Sequence, residues 1–155
     1  MENETMDNEA MENGKDEGQE KQERKNIWPG AEILGRLELG EAGEFIAGEM
    51  LEAKGYTVIH QNYRCRIGEI DLIYVMDKLL VFGEVKCRKS LAFGIPAEAI
   101  TPTKIRHIRR VASWYLARKM SIYRLYDDYD MRFDVIEVVF VGDEYMINHV
   151  ENAFW

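Results

Sequence analysis

Apolar and charged residues alternate in two closely spaced stretches of this chain. Gly68-Glu69-Ile70-Asp71-Leu72-Ile73 and Val81-Phe82-Gly83-Glu84-Val85-Lys86-Cys87-Arg88 both carry the two-residue period of a β-strand, whose successive side chains point to opposite faces. The pattern predicts Glu69 and Asp71 on one face of the first strand, with Ile70 and Leu72 together on the other. In the second strand Glu84, Lys86 and Arg88 share a face, backed by Gly83, Val85 and Cys87. Met76-Asp77-Lys78 and their neighbours between the runs suit a hairpin.

The same reading extends along the chain. Ala42, Phe45, Ile46, Met50 and Ala53 recur at helical spacing from about Gly40, and Gly55 is a natural stop. Tyr56 to His60 predicts a strand, followed by a turn over Gln61-Asn62-Tyr63-Arg64. Residues 89–101, with Gly94 and Pro96, predict a loop. Thr101-Pro102 opens a second helix, threonine as N-cap and proline in the first turn. Its apolar side is Ile105, Ile108, Val111, Ala112, Tyr115 and Leu116, and it is expected to end near Lys119. Arg132 to Val141 is strongly β, Gly142-Asp143 a turn, and Tyr145 to Val150 a returning strand. The order α, β, β, β, α, β, with a final β, predicts an α/β domain with a small central sheet and helices packed on it.

Length and composition fit one globular domain: 155 residues, 46% hydrophobic and 31% charged. No apolar run approaches the ~20 residues of a membrane-spanning helix, and there is no apolar signal-peptide core. Cys65 and Cys87 do not make a disulfide framework, so a cytoplasmic location without membrane association is expected. The net charge of −8 argues against a nucleic-acid partner until it is located: residues 1–26 hold nine acids and four bases, five of the eight net negative charges. That segment lacks aromatic and β-branched apolar residues, so it is expected to be disordered. The division that follows is a disordered acidic tail and linker over 1–37 and a folded domain over 38–155.

Asp71, Glu84 and Lys86 are the first chemical candidates. Two carboxylates on neighbouring strands suit Mg²⁺, which binds through one or two carboxylates plus waters and substrate phosphates. A lysine two residues beyond Glu84 shares its face and can hold or help deprotonate a water made acidic by the metal. The competing reading is a half-exposed sheet with surface cross-strand pairs that do no chemistry. The apolar framing favours the first: Leu79 to Phe82 lead into Glu84, Ile70, Leu72 and Ile73 surround Asp71, and buried charges must be paired or bind something.

Basic residues gather just downstream. Lys86, Arg88, Lys89, Lys104, Arg106, Arg109 and Arg110 include a dense stripe on the second helix, of the kind that binds phosphate backbones with little sequence information. Read alone, that stripe also fits a solvated helix face. His60, His107 and His149 show no zinc-ligand spacing, and there is no Ser-His-Asp arrangement, P-loop or dinucleotide fingerprint. Cys87 alternates inward and reads as core.

The two central stretches resemble the motif of the YraN family of small bacterial proteins. Gly43-Glu44 with Ala47, Leu51 and Gly55, Lys104 with Ala112 and Leu116, Arg132-Phe133-Asp134-Val135, and Ala153-Phe154 match the family's pattern as well. The resemblance spans about Leu39 to Phe154 and implies the restriction-endonuclease-like fold of the PD-(D/E)xK superfamily, an αβββαβ core with a mixed central sheet. It implies Asp71, Glu84 and Lys86 as a nuclease triad, with Ile70 where the superfamily name has proline. It also implies Glu44 as an extra metal-associated acid, like one in archaeal Holliday-junction resolvases. The expectation is a Mg²⁺- or Mn²⁺-dependent endonuclease, a hydrolase of DNA phosphodiester bonds, acting on branched or otherwise structured DNA. Asp71, Glu84, the Val85 carbonyl and Glu44 would hold metal, and Lys86 would position water. Glu69 would assist, and Arg88, Lys104, Arg106, Arg109 and Arg110 would contact phosphates. A homodimer is compatible with this reading. The alternative is a non-catalytic nucleic-acid-binding or scaffold module that keeps the fold.

Overall fold

The computed structural model describes residues 25–26, 36–89, 100–123, 126 and 128–155. Its elements run β1 (Lys25–Asn26), α1 (Arg36–Ala53), β2 (Thr57–Cys65), β3 (Gly68–Met76), β4 (Leu79–Arg88), α2 (Pro102–Tyr123), β5 (Asp130–Val141) and β6 (Glu144–Val150). The strands form one mixed sheet in the order β1-β6-β5-β4-β3-β2. Among the described strands only β4 and β5 pair in parallel. A parallel pair needs a crossover, and α2 supplies it. This is the expected αβββαβ core with its extra final strand.

Each helix covers one face of the sheet. Ala42, Ile46, Ala47 and Leu51 of α1 pack against Leu72, Tyr74, Val81, Ile136, Val138 and Phe140. Ile108, Val111, Ala112 and Tyr115 of α2 pack against Ile70, Ile73, Leu80 and Phe82. Apolar side chains therefore face both sides of β3 and β4, as central strands require. Among the described residues no helix is long and apolar enough to cross a membrane.

Local chemistry sets the boundaries. The Lys104 amide donates to Thr101 Oγ1 at 3.2 Å, the expected N-cap bond of α2. Gly55, at φ +91°, closes α1 in a conformation that suits glycine. Gly43 brings α1 onto β4: a Cβ there would collide with Cys87 Sγ. Gly68 does the same for α2, since a Cβ at its φ of +146° would meet the His107 ring.

Several expectations are corrected. Gln61 to Arg64 is strand, not turn: Gln61 pairs with Leu72 and Tyr63 with Ile70. Tyr63 and Cys65 pack on the α2 side, and the strand carries its irregularity internally, with Asn62 at φ 52° and a register shift between Val58 and His60. Ile70 and Leu72 do not share a face; Ile70 packs on the α2 side and Leu72 on the α1 side. The alternation slips where β3 leaves β4, whose ladder with it ends at Leu72–Gly83. Helix α1 starts at Arg36, ahead of Gly40, and α2 runs on to Tyr123, past Lys119. Within the tail and linker, Lys25–Asn26 forms a short strand on β6, and α1 begins before residue 38. The rest of that segment, and most of the 89–101 loop, lie outside the described residues.

One buried polar cluster was not foreseen. Asp134 is 0% exposed. Its carboxylate takes bonds from Tyr74 Oη at 2.7 Å, Arg132 Nε at 2.8 Å and Nη2 at 2.9 Å, and the Asn152 amide at 3.0 Å. His149 Nε2 lies 2.8 Å from the same carboxylate. Arg132 also reaches Glu151 at 2.9 Å and the Tyr56 hydroxyl at 2.9 Å. This clasp ties β3, β5 and β6 to the C-terminal segment, and its acceptor sites are filled by protein donors, as a buried charge demands.

Candidate active site

The candidate acids meet where β3 and β4 part. Beyond Leu72–Gly83 the backbone ladder stops, and the Asp71 carboxylate replaces it by accepting the Val85 amide N–H at 2.8 Å. Glu84 follows Gly83 on β4, on the face that carries Leu80 and Phe82 toward α2. It is only 3% exposed. Lys86 Nζ lies 2.7 Å from Glu84 Oε1, and Lys104 Nζ, from the first turn of α2, lies 2.9 Å from the same oxygen. Glu84 Oε2 is buried with no hydrogen-bond partner among the described residues.

Charge and burial oppose each other here. Burial first, and then the Glu84 charge, push the Asp71 carboxyl up to about 7, against the Val85 N–H bond and Lys104. Burial disfavours the Lys104 ammonium, yet Glu84 and then Asp71 and Glu69 outweigh it and hold its pKa above the ordinary value. Glu44, on α1, accepts a bond from Asn62 Nδ2 at 2.5 Å. Burial raises its pKa, with Asn62 opposing and the neighbouring Glu41 and Glu69 charges adding to the rise. Glu69 is held by Arg64 at 3.1 Å. Cys87 packs against α1 at Gly43, and burial pushes its thiol up to about 12, so it is an inert core residue rather than a nucleophile.

The geometry thus gathers Asp71, Glu84, Lys86 and Lys104, with Glu44 and Glu69 near enough to act on the same charges. The Val85 contact it displays is the amide donor to Asp71. Among the described residues no group of three or more His, Cys, Asp or Glu side chains is arranged to hold a metal ion. Two carboxylates fit a hard cation that keeps several waters, and the unpartnered Glu84 Oε2 is an oxygen such a cation would take.

The basic residues separate. Lys104 joins the acids, whereas Arg106 bonds Thr103 Oγ1 at 3.0 Å on an exposed part of α2. Arg88 pairs with Glu137 at 3.0 Å. Arg109 and Arg110 line a groove farther along α2. Glu137, 6% exposed and the register partner of Lys86, was missed, as was the contact of Lys104 with Glu84. A lone acid inside Val135-Ile136-Glu137-Val138-Val139 is a readable signal for the first. The second joins residues twenty apart across the described and undescribed parts of the β4–α2 crossover, and no local pattern reports it.

Known proteins resemble this chain closely. The sequence profile of the uncharacterised protein family UPF0102 matches residues 43–138. A UPF0102 protein of Alkaliphilus metalliredigens is 47% identical over 116 residues, 75% of this chain and 96% of the relative. One from Caldicellulosiruptor saccharolyticus is 45% identical over 123 residues, 78% of this chain and 100% of the relative.

Proposed function

The chain belongs to the uncharacterised protein family UPF0102, the YraN family, and from the site it carries we propose a metal-dependent endonuclease that hydrolyses DNA phosphodiester bonds. The observation that carries this reading is the convergence of Asp71, Glu84, Lys86 and Lys104 at the point where β3 and β4 separate. Asp71 and Glu84 would hold Mg²⁺ or Mn²⁺, with the Val85 carbonyl and Glu44 as further oxygen donors. When bound, the cation supplies Lewis-acid stabilisation of charge on the phosphate and a more acidic water.

The chain's own groups do the rest. Lys86 positions the attacking water by hydrogen bonding. Lys104, already drawn into the site by Glu84, would meet a non-bridging phosphate oxygen. Glu69, two residues before Asp71 on β3, would add to the negative charge that acts on Lys104. The net reaction adds water across a P–O ester bond, leaving one alcohol and one phosphomonoester. Arg88, Arg106, Arg109 and Arg110 extend positive charge away from the acids for the phosphates on either side, and branched or structured DNA is the substrate class the family resemblance implies.

The test is cleavage of labelled branched and duplex DNA in Mg²⁺ or Mn²⁺. Asp71→Ala or Lys86→Ala should abolish it while circular dichroism stays that of the wild type; undiminished cleavage by both variants would sink the proposal. One observation favours a second reading, a nucleic-acid-binding module without catalysis: both lysines already neutralise Glu84 Oε1. Mn²⁺ binding that depends on Asp71 and Glu84 separates the two, since a binding module has no need of it.

A further inference from the structure

A second basic feature lies outside the acids. Ile67, Arg109, Arg110, Ser113, Trp114 and Ala117 line an open groove of about 400 Å³ between the β2–β3 turn and α2. None of these six is acidic. The Arg66 guanidinium sits 4.2 Å from the centre of the Trp114 ring, and that of Arg118 sits 5.9 Å away. Two donors in this region, Arg109 Nη2 and Trp114 Nε1, are buried with no hydrogen-bond partner among the described residues.

The donor inventory restricts what belongs here. An indole N–H and a guanidinium can donate but never accept. A ligand that satisfies both must bring acceptors, and the surrounding arginines favour one that is anionic. A phosphodiester meets both conditions, and arginine meets it with a planar fork. Leaving buried donors unsatisfied is costly, so a groove with two of them gains from such a ligand. The groove is built on α2 and the turn into β3, elements that also carry Lys104 and Asp71. Ile67 leads through Gly68 into Glu69 and Asp71, and about 15 Å of helix, at 1.5 Å per residue, separates Lys104 from Trp114. That is about four phosphate steps of a duplex strand.

We infer that this groove clasps a backbone phosphate of the DNA strand flanking the one cleaved, through Arg109 Nη2 and Trp114 Nε1, with Arg66 held over the indole to close it. The inference rests on the nuclease reading. It makes Trp114 and Arg66 substrate-positioning residues and gives the site a second anchor on the strand.

The experiment is fluorescence anisotropy with a labelled DNA junction in Mg²⁺, using the full-length Asp71→Asn protein so that substrate is not consumed. Adding Trp114→Phe, which keeps the ring and removes the N–H, should weaken binding about fivefold without changing its salt dependence. Adding Arg66→Ala, at an exposed position, should weaken binding and lower the slope of log affinity against log salt by about 1. Arg109→Lys, which keeps charge but loses the fork, should behave like Trp114→Phe. Thermal unfolding of each variant at the parent's midpoint confirms that the fold is retained. Unchanged affinity in Trp114→Phe and Arg66→Ala overturns the groove while wild-type cleavage leaves the nuclease reading standing. Loss of all binding by the Asp71→Asn parent, with wild-type cleavage intact, overturns it too. Displacement of DNA by millimolar inorganic phosphate, undiminished in the Arg109→Lys variant, would mean a free-anion site elsewhere and would also overturn it. Absence of both DNA binding and wild-type cleavage removes the nuclease reading and the groove together.

Discussion

Lys104 Nζ lies 2.9 Å from Glu84 Oε1 and thereby joins the start of α2 to the middle of β4. The contact places an ammonium beside the carboxylate pair. On the proposed metal-dependent reading the same ammonium would compete with a divalent ion for that oxygen. Lys104→Ala should therefore raise the affinity for Mn²⁺ by at least about fivefold, since even two unit charges a few ångströms apart repel by about 1 kcal/mol at high dielectric. The same change should lower cleavage at subsaturating DNA. Calorimetric Mn²⁺ titration checks the first expectation, and weaker Mn²⁺ binding by the variant would contradict the competition.

The Asp134 clasp gives a pH-dependent stability. Burial works against the ionised Asp134 carboxylate, but the bonds from His149, Arg132, Tyr74 and the Asn152 amide outweigh it and lower its pKa below 3.8. A depressed acid stabilises the fold fully above its unfolded pKa, and that contribution is lost as pH falls through the folded value. Asp134→Asn removes the charged acceptor of Arg132, which keeps Glu151 and the Tyr56 hydroxyl, and should cost about 1.5–3 kcal/mol at pH 7. The gap between wild type and variant should narrow below about pH 4, in denaturant melts recorded from pH 3 to 7. A gap that stays constant across that range would mean that the carboxylate charge contributes nothing.

These two clusters mark how far local pattern could be read. The alternation of Glu84, Lys86 and Arg88 survives in the fold because β4 keeps its regular parallel ladder with β5 as far as Arg88. The N-cap at Thr101, the stop at Gly55 and the turn at Gly142 were legible because each depends on one residue's chemistry. Three features were not. The slip between Ile70 and Leu72 arises where β3 parts from β4, a tertiary event. Asn62 signals a turn locally, yet pairing of Gln61 with Leu72 and Tyr63 with Ile70 keeps it in the strand. The Asp134 clasp joins Tyr56, Tyr74, Arg132 and His149 from four separated stretches, which only the folded sheet brings together.

Gly43 and Cys87 provide a packing test independent of any activity. Alanine at 43 should favour the helix by up to about 1 kcal/mol, but its Cβ would collide with Cys87 Sγ. Overpacking of this kind costs about 1–3 kcal/mol, so Gly43→Ala should lower the thermal midpoint. Cys87→Ala removes the obstructing sulfur. The double variant should then be at least as stable as Cys87→Ala alone, a coupling of the sign a double-mutant cycle detects. Additive effects of the two changes would show that α1 is not held against β4 at this contact.

Asp71→Asn separates the site's chemistry from its stability. The asparagine can still accept the Val85 amide N–H through its side-chain oxygen, so the junction of β3 and β4 is kept. What is lost is a buried charge that burial and Glu84 disfavour, with the carboxyl raised to about 7. A raised acid means that the folded state binds more protons than the unfolded state between its two pKa values, so stability falls as pH climbs through that window. In EDTA the wild type should therefore lose stability from pH 5 to pH 8, and Asp71→Asn should not. At pH 8 the variant should be more stable by on the order of 2 kcal/mol, since each tenfold change in proton affinity is worth about 1.4 kcal/mol. At pH 5 the advantage should shrink, because the wild-type carboxyl is already protonated in the fold. Mn²⁺ should restore the wild type at pH 8 and leave Asp71→Asn unmoved, because a bound cation stabilises only the protein that can hold it. Parallel thermal melts with EDTA and with Mn²⁺ read both effects, and a variant less stable than wild type at pH 8 in EDTA would show that Asp71 is structural rather than held in reserve for a cation.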